Sequence, residues 1–146
     1  MITNDYYIRD IMTYKVISLM TSTSRKFELT GSRFFGNTHR FSDWDFFTEY
    51  SDSVVDWLKA WGFHRLEANL VKDLMTLYPG DPNIVDVWQK HNVQVQLVIN
   101  FKIKHYAQML LSVEPARKWY LAAQKEGRKE WWVWALRSAN RILREE

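Results

Sequence analysis

Residues 27–47 constrain this chain more than any other stretch, because they set two like charges in one short apolar run. The run reads Phe27-Glu28-Leu29-Thr30-Gly31-Ser32-Arg33-Phe34-Phe35-Gly36, then Asn37-Thr38-His39-Arg40-Phe41, then Ser42-Asp43-Trp44-Asp45-Phe46-Phe47. In a strand, residues i and i+2 share a face. Asp43 and Asp45 are therefore expected side by side, with Trp44 and Phe46 turned into the core. Two carboxylates held that close repel unless a proton or a cation lies between them. Every ligand on offer is oxygen, so the pattern points to a divalent cation of the Mg²⁺ kind.

The chain around this run is an ordinary size for one domain, and residues 1–146 are read as a single unit. An apolar share of 47% with eight Trp excludes a disordered or low-complexity chain. No cysteine is present, which excludes disulfides, thiolate zinc sites and a cysteine nucleophile. The four His, at 39, 64, 91 and 105, do not pair at zinc spacing. Charged residues Asp5, Arg9, Asp10 and Lys15 interrupt the N-terminal stretch, so no signal peptide is expected. There is no run of eighteen apolar residues, so no membrane span is expected and the reading is cytoplasmic. The net charge of +3 is uneven. Residues 102–146 hold ten Lys or Arg against five Glu, whereas residues 1–101 hold ten against twelve acids. A basic C-terminal third attracts polyanions, or is simply a solvated helical surface.

Periodicity gives the elements. Residues 4–19 read as a helix, 26–30 as a first strand, and Gly31 begins the turn into a short helix. A second strand follows at 43–47. Ser51 opens a helix that Gly62 ends, and 63–66 fit a short strand. Residues 67–77 are ambiguous, with a helical bias, and 78–82 are a turn. Two β-rich runs, 83–89 and 93–99, read as a hairpin. The remainder is helical: 101–111, a helix opened by Glu114-Pro115, and 129–144. The last is expected to bury Trp131, Trp134, Ala135, Ala139, Ile142 and Leu143, with Arg137, Arg141 and Arg144 on an outer face. The tryptophans read mainly as core, with base stacking the alternative. The fold class is α/β (α+β): a small mixed sheet flanked by helices, with a helical C-terminal third.

At Gly31-Ser32, Gly36 and Ser42-Asp43-Trp44-Asp45 the chain resembles the nucleotidyltransferase superfamily with the DNA polymerase β-type fold. That pattern is Gly-Ser, a spacer, then Asp-x-Asp on the next strand, and here eleven positions separate Ser32 from Asp43. The resemblance implies that Gly31 and Ser32, with Arg33 beside them, hold nucleotide phosphates. It implies that Asp43 and Asp45 bind Mg²⁺ or Mn²⁺, and that a later strand supplies a third carboxylate. The substrate would be an NTP and the acceptor a hydroxyl on tRNA, protein or a small molecule. In this chain Gln94 stands where the third carboxylate is expected, within Val93-Gln94-Val95-Gln96-Leu97-Val98. Glutamine is neutral and a poor Mg²⁺ ligand. Either the site works with Asp43 and Asp45 alone, or another donor fills in, for which Asp86 on the neighbouring strand is the candidate. Lys102 and Lys104 are candidates to reach a phosphate. The alternative function is a catalytically degenerate nucleotidyltransferase-fold protein that binds a protein or nucleic-acid partner, as small antitoxin partners in the superfamily do. The compact sequence also resembles small bacteriophage-encoded members.

Overall fold

A computed structural model describes residues 4–23, 25–36, 43–66 and 84–145. The expected loop at 37–41, the helix-biased stretch at 67–77 and the turn at 78–82 lie outside the described residues. Along the chain run α1 (Asn4–Ser22), β1 (Glu28–Thr30), α2 (Gly31–Phe35), β2 (Trp44–Glu49), α3 (Asp52–Ala60) and β3 (His64–Arg65). After these come β4 (Ile84–Lys90), β5 (Val93–Val98), α4 (Phe101–Ser112), α5 (Ala116–Lys125) and α6 (Glu130–Glu145). The fold is thus mixed α and β, with a helical C-terminal third.

The five strands form one sheet in the order β1-β2-β5-β4-β3. Only β2 and β5 run parallel; the other neighbours are antiparallel. A parallel pair needs a long crossover, and the chain between β2 and β5 supplies it through α3, β3 and β4. β4 and β5 are joined by the tight turn His91-Asn92, with His91 in the left-handed region at φ 54°.

Strand alternation sorts the side chains into two layers. On one face Phe46, Trp88, Val93, Val95 and Leu97 pack with Val16 and Met20 of α1 and Val54 and Leu58 of α3. Ser51 holds the start of α3 by accepting from the Val54 N–H at 3.1 Å, as its position before an apolar run leads one to expect. On the other face Phe47, Ile84, Val87 and Val98 pack against Phe101 of α4. The C-terminal helices add a third cluster, in which Phe35 of α2 meets Ala107, Leu111, Tyr120, Trp132 and Ala135. α2 is therefore pinned between the sheet and the helical third.

The last helix is rotated from the expected setting. Its buried positions are Trp132, Ala135, Leu136 and Ala139, whereas Trp134 is 45% exposed. Three Trp in four residues leave two defensible stripes. Small Ala135 and Ala139 fit either, so packing against α4 decides, and it selects Trp132. Arg137, Arg141 and Arg144 are exposed, as expected.

Candidate functional site

The Gly31 bend and the acidic strand meet. β1 ends at Thr30, whose Cα partner is Asp45, and the chain turns at once into α2. Gly31 has φ +70°, a left-handed setting that disfavours side chains. There is also no room for one: a Cβ built there would stand 2.5 Å from Asp45 Oδ2. The glycine thus serves two ends, turning the chain and letting its backbone lie against the carboxylate.

Asp45 sits on the same sheet face as Thr30, Gln94 and Gln96, while Phe46 enters the opposite layer. Trp44 packs against that same opposite layer. Asp43 stands exposed just before β2. Its charge acts on Asp45. Burial first, and the Asp43 carboxylate second, push the Asp45 carboxyl from 3.8 up to about 6. Lys104 and then Arg33 pull it the other way. The guanidinium of Arg33 lies over the Trp44 ring, 4.1 Å from its centroid.

Lys104, one of the two lysines put forward to reach a phosphate, is buried. It is 3% exposed, comes from the inward face of α4, and donates from Nζ to Gln96 Oε1 at 2.7 Å. Its ammonium also stands 5.4 Å from the Phe47 ring centroid and 5.5 Å from that of Trp132. Thr30, Gly31, Asp45, Gln96, Lys104 and Trp132 line one recess of about 20 Å³. That is room for a water or a bare ion, not for a nucleotide. The Trp132 indole N–H is buried there with no partner among the described residues, leaving a donor within the recess wall.

The two remaining candidates separate. Gln94 is the direct Cα partner of Asp45 across the parallel pair, on the same face. Asp86 lies on the other face, opposite Leu97, because a bulge between Ile84 and Asp86 shifts the alternation. There it is 7% exposed, accepts from Arg65 Nε at 2.8 Å and from Trp88 Nε1 at 3.1 Å, and faces away from Asp45. Asp86 is thus a structural carboxylate and does not fill the third position. Lys102 is exposed on the outer side of α4. His39 and Arg40, which precede the acidic pair in the sequence, lie outside the described residues.

Gln96, Trp132 and Thr30 are members that motif reading missed. Gln96 was reachable from period two, since it shares the face of Gln94. Trp132 was not, because only the rotation of α6 brings it to the recess.

Chemically, the assembly offers the Asp45 carboxyl lining the recess, the exposed Asp43 carboxylate whose charge acts on it, and the buried Lys104 ammonium. Among the described residues no group of three or more His, Asp or Glu could hold a metal. Mg²⁺ is nonetheless commonly held by one or two carboxylates, with water and substrate phosphates completing its shell. An Asp45 carboxyl held half-protonated near pH 6 by burial and by Asp43 is the state that a divalent cation would relieve. In kind, two carboxylate oxygens suit a hard divalent cation such as Mg²⁺ or Mn²⁺. No family model, curated protein or solved structure matches the chain.

Proposed function

We propose that this protein transfers a nucleoside monophosphate from an NTP to an acceptor hydroxyl. The observation that carries the reading is the fit of Gly31 against Asp45. A glycine that lacks room for any side chain, with Ser32 after it, adjoins β2, which carries Asp45, with Asp43 just before it. Together with the Gly-Ser and Asp-x-Asp resemblance, this favours a phosphate-handling carboxylate site over two incidental surface acids.

In the reaction the acceptor oxygen forms a bond to the α-phosphorus and gives up its proton to solvent, the bond to the β-phosphate bridging oxygen breaks, and pyrophosphate leaves. Mg²⁺, when bound, supplies charge neutralisation to the triphosphate and to the leaving group. Asp43 and Asp45 would hold it. The side-chain-free Gly31 and the Ser32 hydroxyl would border the phosphates, and the charge of Arg33, which already acts on Asp45, would add to the attraction. Lys104, from below, favours the ionised form of Asp45, the form that binds a cation. The small recess leaves the nucleotide to lie across the rim rather than within the fold.

Gln94 gives the second reading its force. With a neutral amide directly across from Asp45, and Asp86 on the far face, no third carboxylate accompanies the pair among the described residues. A protein with the same frame that binds a protein or nucleic-acid partner without transfer fits that feature.

The two are separated by incubating the chain with each labelled NTP, Mg²⁺ or Mn²⁺, and tRNA, protein or small hydroxyl compounds as acceptors. Transfer that disappears in Asp43→Ala and in Asp45→Ala supports the first reading; transfer that survives both sinks the site. A silent wild type that gains transfer as Gln94→Asp supports the second.

A further inference from the structure

We infer that the outer face of α5 and α6 binds single-stranded nucleic acid, by stacking bases on tryptophan and pairing phosphates with arginine. The inference does not depend on Asp43 or Asp45.

Three tryptophans form a continuous row across the two helices. Trp119 of α5 stacks on Trp131 of α6 with ring centroids 5.3 Å apart and planes 29° from parallel. Trp131 meets Trp134 edge-on at 5.8 Å. Trp119 is 50% and Trp134 45% exposed, whereas Trp88 and Trp132 are buried. Half-exposed indoles cost hydration, and a row of them offers π-faces on which any base can stack.

Charge selects the occupant. Residues 116–145 hold eight Lys or Arg against three Glu. On α6, Trp134, Arg137, Arg141 and Arg144 follow one another at i, i+3, i+7 and i+10, a single helix face. All four are exposed. The three Glu do not cancel this line evenly. Glu126 and Glu130 are taken up by Arg128, at the start of the helix. No ion pair involves Arg137, Arg141 or Arg144 among the described residues. From Arg137 to Arg144 the helix advances about 10 Å, long enough to follow successive phosphates of an extended strand. Aromatic faces continuous with unneutralised guanidinium groups fit a flexible polyanion that has bases to stack. A protein partner has no comparable need of the arginine line, and a duplex hides its base faces from the tryptophans.

The test is fluorescence anisotropy with a labelled ~15-nucleotide oligo(U) and oligo(dT), and with a duplex of the same length, in the absence of any NTP or metal. The single strands should bind more tightly than the duplex. Between 50 and 200 mM salt the affinity should fall about twentyfold, from three phosphate contacts at a slope of about −0.7 each. Trp134→Ala and Trp119→Ala should each weaken binding about fivefold or more. Arg141→Gln should flatten the salt slope by about 0.7. Circular dichroism would check that these surface variants keep the fold. Absent binding at 50 mM salt overturns the proposal. So does equal affinity for the duplex with silent Trp variants, which would mean a plain electrostatic patch. A dimer in light scattering that Trp134→Ala dissolves also overturns it, by assigning the face to a second copy of the chain.

Discussion

Replacing Asp45 with Asn should make the metal-free protein more stable at neutral pH, and the gain should vanish in acid. The wild-type carboxyl titrates at about 6 in the folded chain against 3.8 when unperturbed. Below pH 3.8 it is protonated in both states and contributes nothing. Between the two values the unfolded chain ionises first, so it binds fewer protons than the native chain and stability falls as pH rises. Above about 6 the full cost of ionising a buried carboxyl beside Asp43 is present. At ~1.4 kcal/mol per tenfold, the displacement is worth ~3 kcal/mol. Solvent at the open rim reduces that, and the expected gain for Asp45→Asn near neutrality is about 2 kcal/mol. For a chain of this size it corresponds to a rise in Tm of about 4–8 °C. Thermal unfolding of both proteins by circular dichroism, from about pH 4 to pH 8, reads it directly. The two Tm curves should converge in acid and part through the window between 3.8 and about 6. Added Mg²⁺ should then raise the wild-type Tm at neutral pH more than that of Asp45→Asn, since only a ligand favouring the native state shifts it. An Asn variant that is no more stable at neutral pH, or a gap that stays constant with pH, would refute the electrostatic account of this site.

Three further outcomes test its parts. Gly31→Ala should lower stability by about 2 kcal/mol, from the left-handed φ and the 2.5 Å contact with Asp45; combining it with Asp45→Ala should recover the contact's share, read by denaturant unfolding. Lys104→Met should destabilise by about 2–4 kcal/mol, since it removes the cation bonded to Gln96 and leaves Asp45 without its main compensating charge. The same variant should move the pH window of the Asp45→Asn gap upward, because Lys104 is what holds that carboxyl down. Ser51→Ala, which removes the cap on the Val54 N–H, should cost about 1 kcal/mol in the same assay without altering the pH window.

Much of the frame was legible because local signals there agree with tertiary packing. The Gly31 bend, the Ser51 cap and the alternation in β5 each have a local cause, and each appears where that cause puts it. The sequence misled where two solutions satisfy the same local rule. In α6 the tryptophans at 131, 132 and 134 allow more than one buried stripe, and contacts with α4 and α5 choose between them. In β4 the expected alternation fails at Val85, because a bulge adds a residue and turns Asp86 to the opposite layer. No local property of Ile84-Val85-Asp86 announces that bulge. It follows from matching β4 to β5, which no single strand encodes.

Asp43 and Asp45 stand two residues apart, Asp43 just before β2 and Asp45 within it, so the effect of one charge on the other is a local matter, whereas the burial of Lys104 is not. Lys104 reaches Asp45 only through the fold: α4 must leave the sheet beyond β5 and return its inward face over Gln96. On the sequence, Lys102 and Lys104 look alike, two polar positions in an amphipathic helix. Helical phase separates them, since Phe101, Lys104, Ala107, Gln108 and Leu111 share the inward face. A lysine on that stripe breaks the apolar rule, and an isolated buried ammonium would be costly. Its burial is tolerable because the Gln96 amide oxygen accepts from it and the Asp45 carboxyl shares its recess. A lysine out of phase on an apolar helix face calls for a polar partner opposite, and here Gln96 accepts from it while its charge lowers the carboxyl of Asp45.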